Sequence, residues 1–158
     1  HGLMTALFFA LIGMIYGRTH TRDIRQMGGL MKIMPYLGVC YMIAGFASLG
    51  LPGLSGFVAE LTIFFGSFQN ADLFHRIFVI AATTSIVITA VYILRVVGKL
   101  LLGKVQDEHH LALTDATWFE RVSTVTLIVC IAGIGCFPNW ISEAIEFSFG
   151  PIIKALGV

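Results

Sequence analysis

Apolar positions along this chain come in long uninterrupted runs, neither alternating as in a strand nor confined to one stripe as in a soluble helix. Four runs stand out, at about 2–17, 36–68, 77–102 and 122–137, and polar residues collect between them. The pattern predicts an all-α polytopic membrane protein with four transmembrane segments. The first run, Gly2 to Gly17, rises only about 24 Å as a helix, short of the roughly 30 Å hydrocarbon core. It has no basic flank and no small-residue cleavage site, so it reads as a truncated span whose start lies upstream, not as a signal peptide.

The second run has the opposite problem, since Tyr36 to Phe68 would extend about 50 Å as one straight helix. Its middle reads Gly50-Leu-Pro-Gly-Leu-Ser-Gly56. Pro52 removes a backbone donor and clashes one turn back, while Gly53 and Gly56 permit non-helical backbone. Two half-helices broken near 51–56 are therefore expected. A break at membrane depth is tolerated only where protein or a wet cavity surrounds it.

The third run, Ile77 to Leu102, carries Arg95 and Lys99 four residues apart on one face of its last turns. The fourth, Val122 to Phe137, stops at Pro138-Asn139. Within the tail 140–158, Trp140 to Phe149 sets Ile141, Ile145 and Phe149 on one stripe and Glu143 with Glu146 on another, as in a short interfacial helix. The links are a loop from Arg18 to Pro35, a turn around Asn70 to Arg76 and a loop from Lys104 to Arg121. Lys and Arg number four in the first link, one in the second, four in the third region when Arg95 and Lys99 at the end of the third run are counted with Lys104 and Arg121, and one in the tail. That alternation puts the loops near Arg22 and Asp107 in the cytoplasm and the Asn70 turn with the C-terminus opposite.

Composition strengthens the membrane reading. Apolar residues make up 57% and charged residues 12% of the 158, about half the usual charged fraction, and mean hydropathy is +0.88. A net charge of +1 without a basic tract gives nucleic acid nothing to bind.

Glu60 is the sharpest chemical signal, eight residues past Pro52 with apolar neighbours on both sides. A charge near the bilayer centre costs about 2.5–3.5 kcal/mol, so such a group faces the protein interior and serves a purpose there. A carboxyl beside a broken helix is the arrangement of ion transporters, which makes Glu60 a candidate proton or ion relay. The competing reading is a carboxyl that only joins helices. His1, at the head of the first run, titrates in the right range to pass protons. Arg95 and Lys99 resemble snorkelling anchors, although Lys99 is also the nearest intramembrane base to pair with a carboxyl. His109-His110 with Asp107 and Glu108 reads as a solvated loop more readily than as a metal site. Cys40, Cys130 and Cys136 lack metal-ligand spacing, and no haem, flavin, iron–sulfur or phosphate-loop motif is present.

Several stretches together resemble a known family. They are His1-Gly-Leu-Met, Arg18-Thr-His-Thr-Arg-Asp with Met27-Gly-Gly-Leu30, Leu51-Pro-Gly-Leu-Ser-Gly-Phe-Val-Ala-Glu60, and Phe65-Gly-Ser-Phe68. They resemble the antiporter-like subunits of respiratory complex I, NADH–quinone oxidoreductase, and among them the subunit 4 (chain M) type. The resemblance runs over the whole chain and weakens after Gly103. It implies the C-terminal part of one proton-translocating domain of inverted-repeat fold. It also implies that Glu60 is the relay carboxyl of the second half-channel, where related subunits carry lysine, with His1 a relay histidine and Lys99 a less certain third group. By the same resemblance, NADH, FMN, iron–sulfur clusters and quinone belong to partner subunits and this chain holds no cofactor. The implied partners are the other membrane subunits, neighbouring antiporter-like ones included. The implied location is the bacterial inner membrane ahead of the mitochondrial one.

Two other readings stay open on the residues alone. One is a homologous subunit of a membrane-bound hydrogenase or multisubunit cation antiporter, with the same relay and another driver. The other is a non-transporting membrane scaffold. A free-standing enzyme finds no nucleophile–base pair or metal cluster to rest on.

Overall fold

Seven α-helices and one 3-10 turn make up the chain in a computed structural model that describes residues 1–69, 72–105 and 108–156. Among the described residues three helices are long and apolar enough to cross a membrane: α1 (Gly2–Thr19), α5 (Leu73–Leu101) and α6 (Trp118–Cys136). Two shorter apolar helices, α3 (Pro35–Ser48) and α4 (Ser55–Phe68), divide the second run between them. The four-residue α2 (Leu30–Ile33) and the terminal α7 (Pro138–Leu156) complete the set, with the 3-10 turn at Glu108–Ala112. The all-helical membrane architecture agrees with the pattern of apolar runs.

The core lies where α1, α3 and α6 meet. Leu7, Leu11 and Ile15 of α1, Leu37, Ala44 and Ala47 of α3, and Ile131 of α6 are buried. The loop end of α5 joins them through Val97, Leu100 and Leu101, while the rest of that helix faces outward with Phe78, Ile80, Val87, Ile88 and Val91 exposed. An aqueous solvent would oppose that much exposed hydrocarbon, whereas lipid accepts it.

Several boundaries differ from the expectation, each for a local reason. Helix α5 starts at Leu73, four residues early, because the Asp72 side chain accepts from the Phe74 N–H and caps it. Helix α6 starts at Trp118 because Thr117 and Glu120 form a capping box, a Thr-x-x-Glu signal the apolar runs hide. The segment after Arg18 is only partly the exterior loop expected of it. Met27, Leu30 and Met34 are buried, and Gly29, at φ +66°, donates its N–H to the Leu102 carbonyl at 3.3 Å. Helix α7 runs on through Pro151 to Leu156, longer than the short interfacial helix expected, and packs against α6. Trp140, Ile145, Phe149 and Ile152 stay exposed on it. Asn70 and Asp107, from two of the expected polar links, lie outside the described residues.

The two Arg/Lys-rich links meet at one end of the bundle. Arg18 donates to both carboxylate oxygens of Glu120, at 3.0 and 2.6 Å. Asp115 reaches across from the second link to accept from the Tyr36 and Leu37 N–H groups at 2.8 and 3.3 Å. That carboxylate caps the start of α3, which Pro35 opens with no side-chain cap of its own at Met34. Replacing Asp115 with alanine is expected to cost about 1 kcal/mol through the lost cap. A lower midpoint of heat inactivation in detergent is the readout, and an unchanged midpoint would contradict this role.

Candidate functional site

The interruption between α3 and α4 organises the site. Helix α3 unwinds after Ser48, with Leu49 N–H shared between the Gly45 and Phe46 carbonyls and Gly50 N–H reaching Ala47 at 3.2 Å. Gly50 and Gly53 both take positive φ, +62° and +91°. Leu54 is extended and starts α4 with no side-chain cap. Pro52 and Gly53 lie inside the interruption. Gly56 is already helical, and its missing side chain accommodates the Ala47 carbonyl, 2.8 Å from where a Cβ would stand.

Glu60 is the sixth residue of α4, half-buried, and its carboxylate folds back onto the interruption. A Cβ at Gly50 would lie 2.6 Å from its Oε2, so the carboxylate rests directly on the Gly50 backbone. Gly50 thus answers two demands, left-handed backbone and close approach, and sequence reasoning had not singled it out. Helix α6 closes the other side. A Cβ at Gly135 would collide with the backbone of Gly53 and Leu54, and the Cys136 thiol donates to the Gly53 carbonyl at 3.6 Å.

A cavity of about 280 Å³ opens beside the break. His1 and Met4 of the first helix, Ala47 and Ser48 of α3, Ser55, Gly56, Ala59 and Glu60 of α4, and Thr89 and Tyr92 of α5 line it. His1 and Glu60 therefore share one chamber although 59 positions separate them in sequence. The Glu60 carboxylate makes no hydrogen bond or ion pair with any other described residue. Ser48, Ser55, Thr89 and Tyr92 add hydroxyls that no pattern along the chain groups, because they come from three elements.

Lys99 does not line this chamber. It lies seven residues beyond Tyr92, about 10 Å along the α5 axis, at the loop end and exposed. There it acts on Asp23. The Arg25 N–H and side chain, both on Asp23 Oδ1, hold that carboxyl below its ordinary range, and the positive charge of Lys99 adds to the effect. Arg95 is likewise exposed. His110 is buried in the 3-10 turn and His109 is exposed; among the described residues no three His, Cys, Asp or Glu side chains gather as a metal site would require.

Residues 1–89 match the NADH:quinone oxidoreductase/Mrp antiporter transmembrane family. The chain belongs to this family. Within the family it is similar to NAD(P)H-quinone oxidoreductase chain 4 1 of Nostoc sp., 37% identical over 151 residues, which cover 92% of this chain and 28% of the relative. The protein of the same name from Thermosynechococcus vestitus is 36% identical over 159 residues, 97% of this chain and 30% of the relative. That from Microcystis aeruginosa is 40% identical over 146 residues, 88% of this chain and 27% of the relative. The chain thus spans about three tenths of the length of the curated relatives it matches. The family match takes in every residue lining the Glu60 chamber except Tyr92.

Proposed function

We propose that this chain is the C-terminal part of a proton-translocating, antiporter-like membrane subunit of an NADH–quinone oxidoreductase, residues 1–158 forming one piece of a single translocating domain. The observation that carries the reading is Glu60, a carboxylate without a partner among the described residues, facing a polar chamber with His1 at a helix break. Water held there connects the two groups, and a proton passes between the imidazole and the carboxylate. Pro52, Gly53 and Gly56 keep the backbone open so that the chamber exists. Lys99 acts at the loop end of α5 as the outermost basic group of the relay.

The driving reaction lies elsewhere. NADH, FMN, iron–sulfur clusters and quinone reside in partner subunits, and the subunit contributes to the oxidoreductase without a redox site in this chain. Quinone reduction shifts charge along a line of ionisable groups in the membrane, and Glu60 and His1 answer by exchanging protons. The partners are the other membrane subunits, neighbouring antiporter-like ones among them, and the lipid of a bacterial inner membrane. A second reading has support in the family description, which also names Mrp antiporters. In that reading the same relay exchanges a cation for protons without quinone chemistry.

The test uses the full-length subunit assembled in its complex, in inverted membrane vesicles. Glu60→Gln is expected to lower both quinone-linked turnover and the pH gradient by about two orders of magnitude, the scale of losing a positioned proton-transfer group. Wild-type turnover and gradient in a normally assembled complex would leave Glu60 a helix-joining carboxyl and the subunit a scaffold. Turnover that stays normal while a sodium gradient disappears would favour the antiporter reading.

A further inference from the structure

The start of α3 is tied to the other two core helices through one residue, Asp115 in the link before α6. Its Oδ2 accepts from the Tyr36 N–H at 2.8 Å, and its Oδ1 from the Leu37 N–H at 3.3 Å and the Ala116 N–H at 2.7 Å. Its main-chain carbonyl accepts from the Arg18 side chain of α1 at 3.2 Å. Asp115 is half-buried at the loop end of the bundle and does not line the Glu60 chamber. The relay makes no direct use of it.

Helix α3 runs unbroken from there to Ser48, about 21 Å by helical rise. Sideways it is held closely. The Tyr36 hydroxyl meets Thr124 of α6 at 2.8 Å, and a Cβ at Gly38 or Gly45 would stand 2.9 Å from Met31 Sδ or 3.0 Å from Val97 Cγ2. A helix packed this tightly moves as one body. Its position along its own axis is set where its first N–H groups are bound, and Asp115 binds two of them. The far end of the same helix carries the site. The Ala47 carbonyl rests against Gly56 and accepts from the Gly50 N–H at 3.2 Å, and Gly50 is the backbone on which the Glu60 carboxylate rests.

We infer that Asp115 is a positioning residue for Glu60, acting through the length of α3. The inference rests on the relay role of Glu60 and adds a residue, at the opposite end of the half-helix, that holds the carboxylate where it works. Without the Asp115 side chain the first turn of α3 frays, its freed N–H groups turn to water, and the helix settles at a different axial position. Ala47 and Gly50 move with it, and the Glu60 carboxylate loses its seat. No proton passes through Asp115; it transmits position alone.

The experiment again uses the full-length subunit in its assembled complex, with the pH gradient read in sealed inverted vesicles and infrared difference spectra taken during turnover. Asp115→Ala removes the cap. It is expected to slow the initial rise of the gradient about fivefold, the rate equivalent of one helix cap, and to shift the Glu60 carboxyl band. That band is identified by its loss in Glu60→Gln. Asp115→Asn keeps an acceptor oxygen, and asparagine caps helices as well as aspartate does, so its gradient and band are expected to match the parent. Thr117→Ala is the control for lost stability alone. It removes the α6 capping box at a similar cost and is expected to leave the band in place. A Glu60 band unmoved in Asp115→Ala overturns the inference, as does an equal shift in Thr117→Ala or an Asp115→Asn variant as slow as Asp115→Ala. If no band depends on Glu60 and Glu60→Gln pumps normally, the relay reading has failed and the positioning role falls with it. If the band is lost in Glu60→Gln yet unmoved in Asp115→Ala, only the positioning role is wrong.

Discussion

Gly135→Ala is expected to destabilise the subunit severely, although it adds a single methyl to an apolar helix. The new Cβ would strike the Gly53 carbonyl and the Leu54 backbone. Backbone atoms cannot swing aside as the end of a side chain can, and overpacking costs about 1–3 kcal/mol even where side chains yield. Either α6 retreats, opening the Cys136 to Gly53 contact, or the break between α3 and α4 shifts and carries Gly50 away from Glu60. Gly133→Ala in the same helix provides the control, because nothing lies within 4 Å of the added carbon. That substitution is expected to be neutral or to gain about 0.5–1 kcal/mol, the usual advantage of alanine over glycine in a helix. The readout is the midpoint of heat-induced loss of the full-length subunit in detergent. Equal midpoints for the two variants would show that α6 does not support the break.

The second large effect is expected at the loop end. Arg18 makes five hydrogen bonds: two to Glu120 and one each to the carbonyls of Met14, Thr114 and Asp115, at 2.6 to 3.2 Å. Its side chain is 13% exposed and that of Glu120 is 25%. Removing Arg18 strands Glu120 with its charge partly desolvated and takes the side-chain bonds from the Thr114 and Asp115 carbonyls. Arg18→Met is expected to cost roughly 2–4 kcal/mol, below the figure for a fully buried pair because water still reaches Glu120. Arg18→Met with Glu120→Met should cost less than the single change, since no charge is then stranded. A single variant as stable as the parent, or a double variant less stable than the single, would contradict this. The thermal midpoint decides here too.

These two contacts mark where sequence reading stops. The apolar runs, the break at Pro52 and the lone carboxyl at Glu60 are local signals, and each could be found by following the chain. Period and composition also limited what the runs could be, because no soluble core explains so many outward apolar residues on α5. The clamp of Gly135 on Gly53 joins positions 82 residues apart, and the Arg18 to Glu120 pair joins positions 102 apart. Neither spacing carries a periodic signal. Gly135 looks like any small residue in a membrane helix until the opposing backbone is seen. Gly50 was visible as part of a glycine-rich stretch, but its second duty, giving room to the Glu60 carboxylate, depends on how α4 folds back.

The chamber itself was half legible. Glu60 and His1 stand out as ionisable groups in apolar surroundings, whereas Ser48, Thr89 and Tyr92 are ordinary residues until α3 and α5 bring them beside Glu60. Lys99 shows the reverse case. As a cation within an apolar run it looked like a partner for a buried carboxyl, yet helical rise alone carries it about 10 Å past the chamber. Its neighbour is Asp23 at the loop.

The most direct test of the central claim is infrared difference spectroscopy on the assembled complex during turnover. It compares the wild-type full-length subunit with Glu60→Gln in the region where a protonated carboxyl absorbs. The account predicts a carboxyl band that appears or shifts as quinone is reduced and is missing from the Glu60→Gln spectrum. An identical set of bands in both proteins would mean that Glu60 does not change its proton during turnover, and the relay would have to be sought elsewhere.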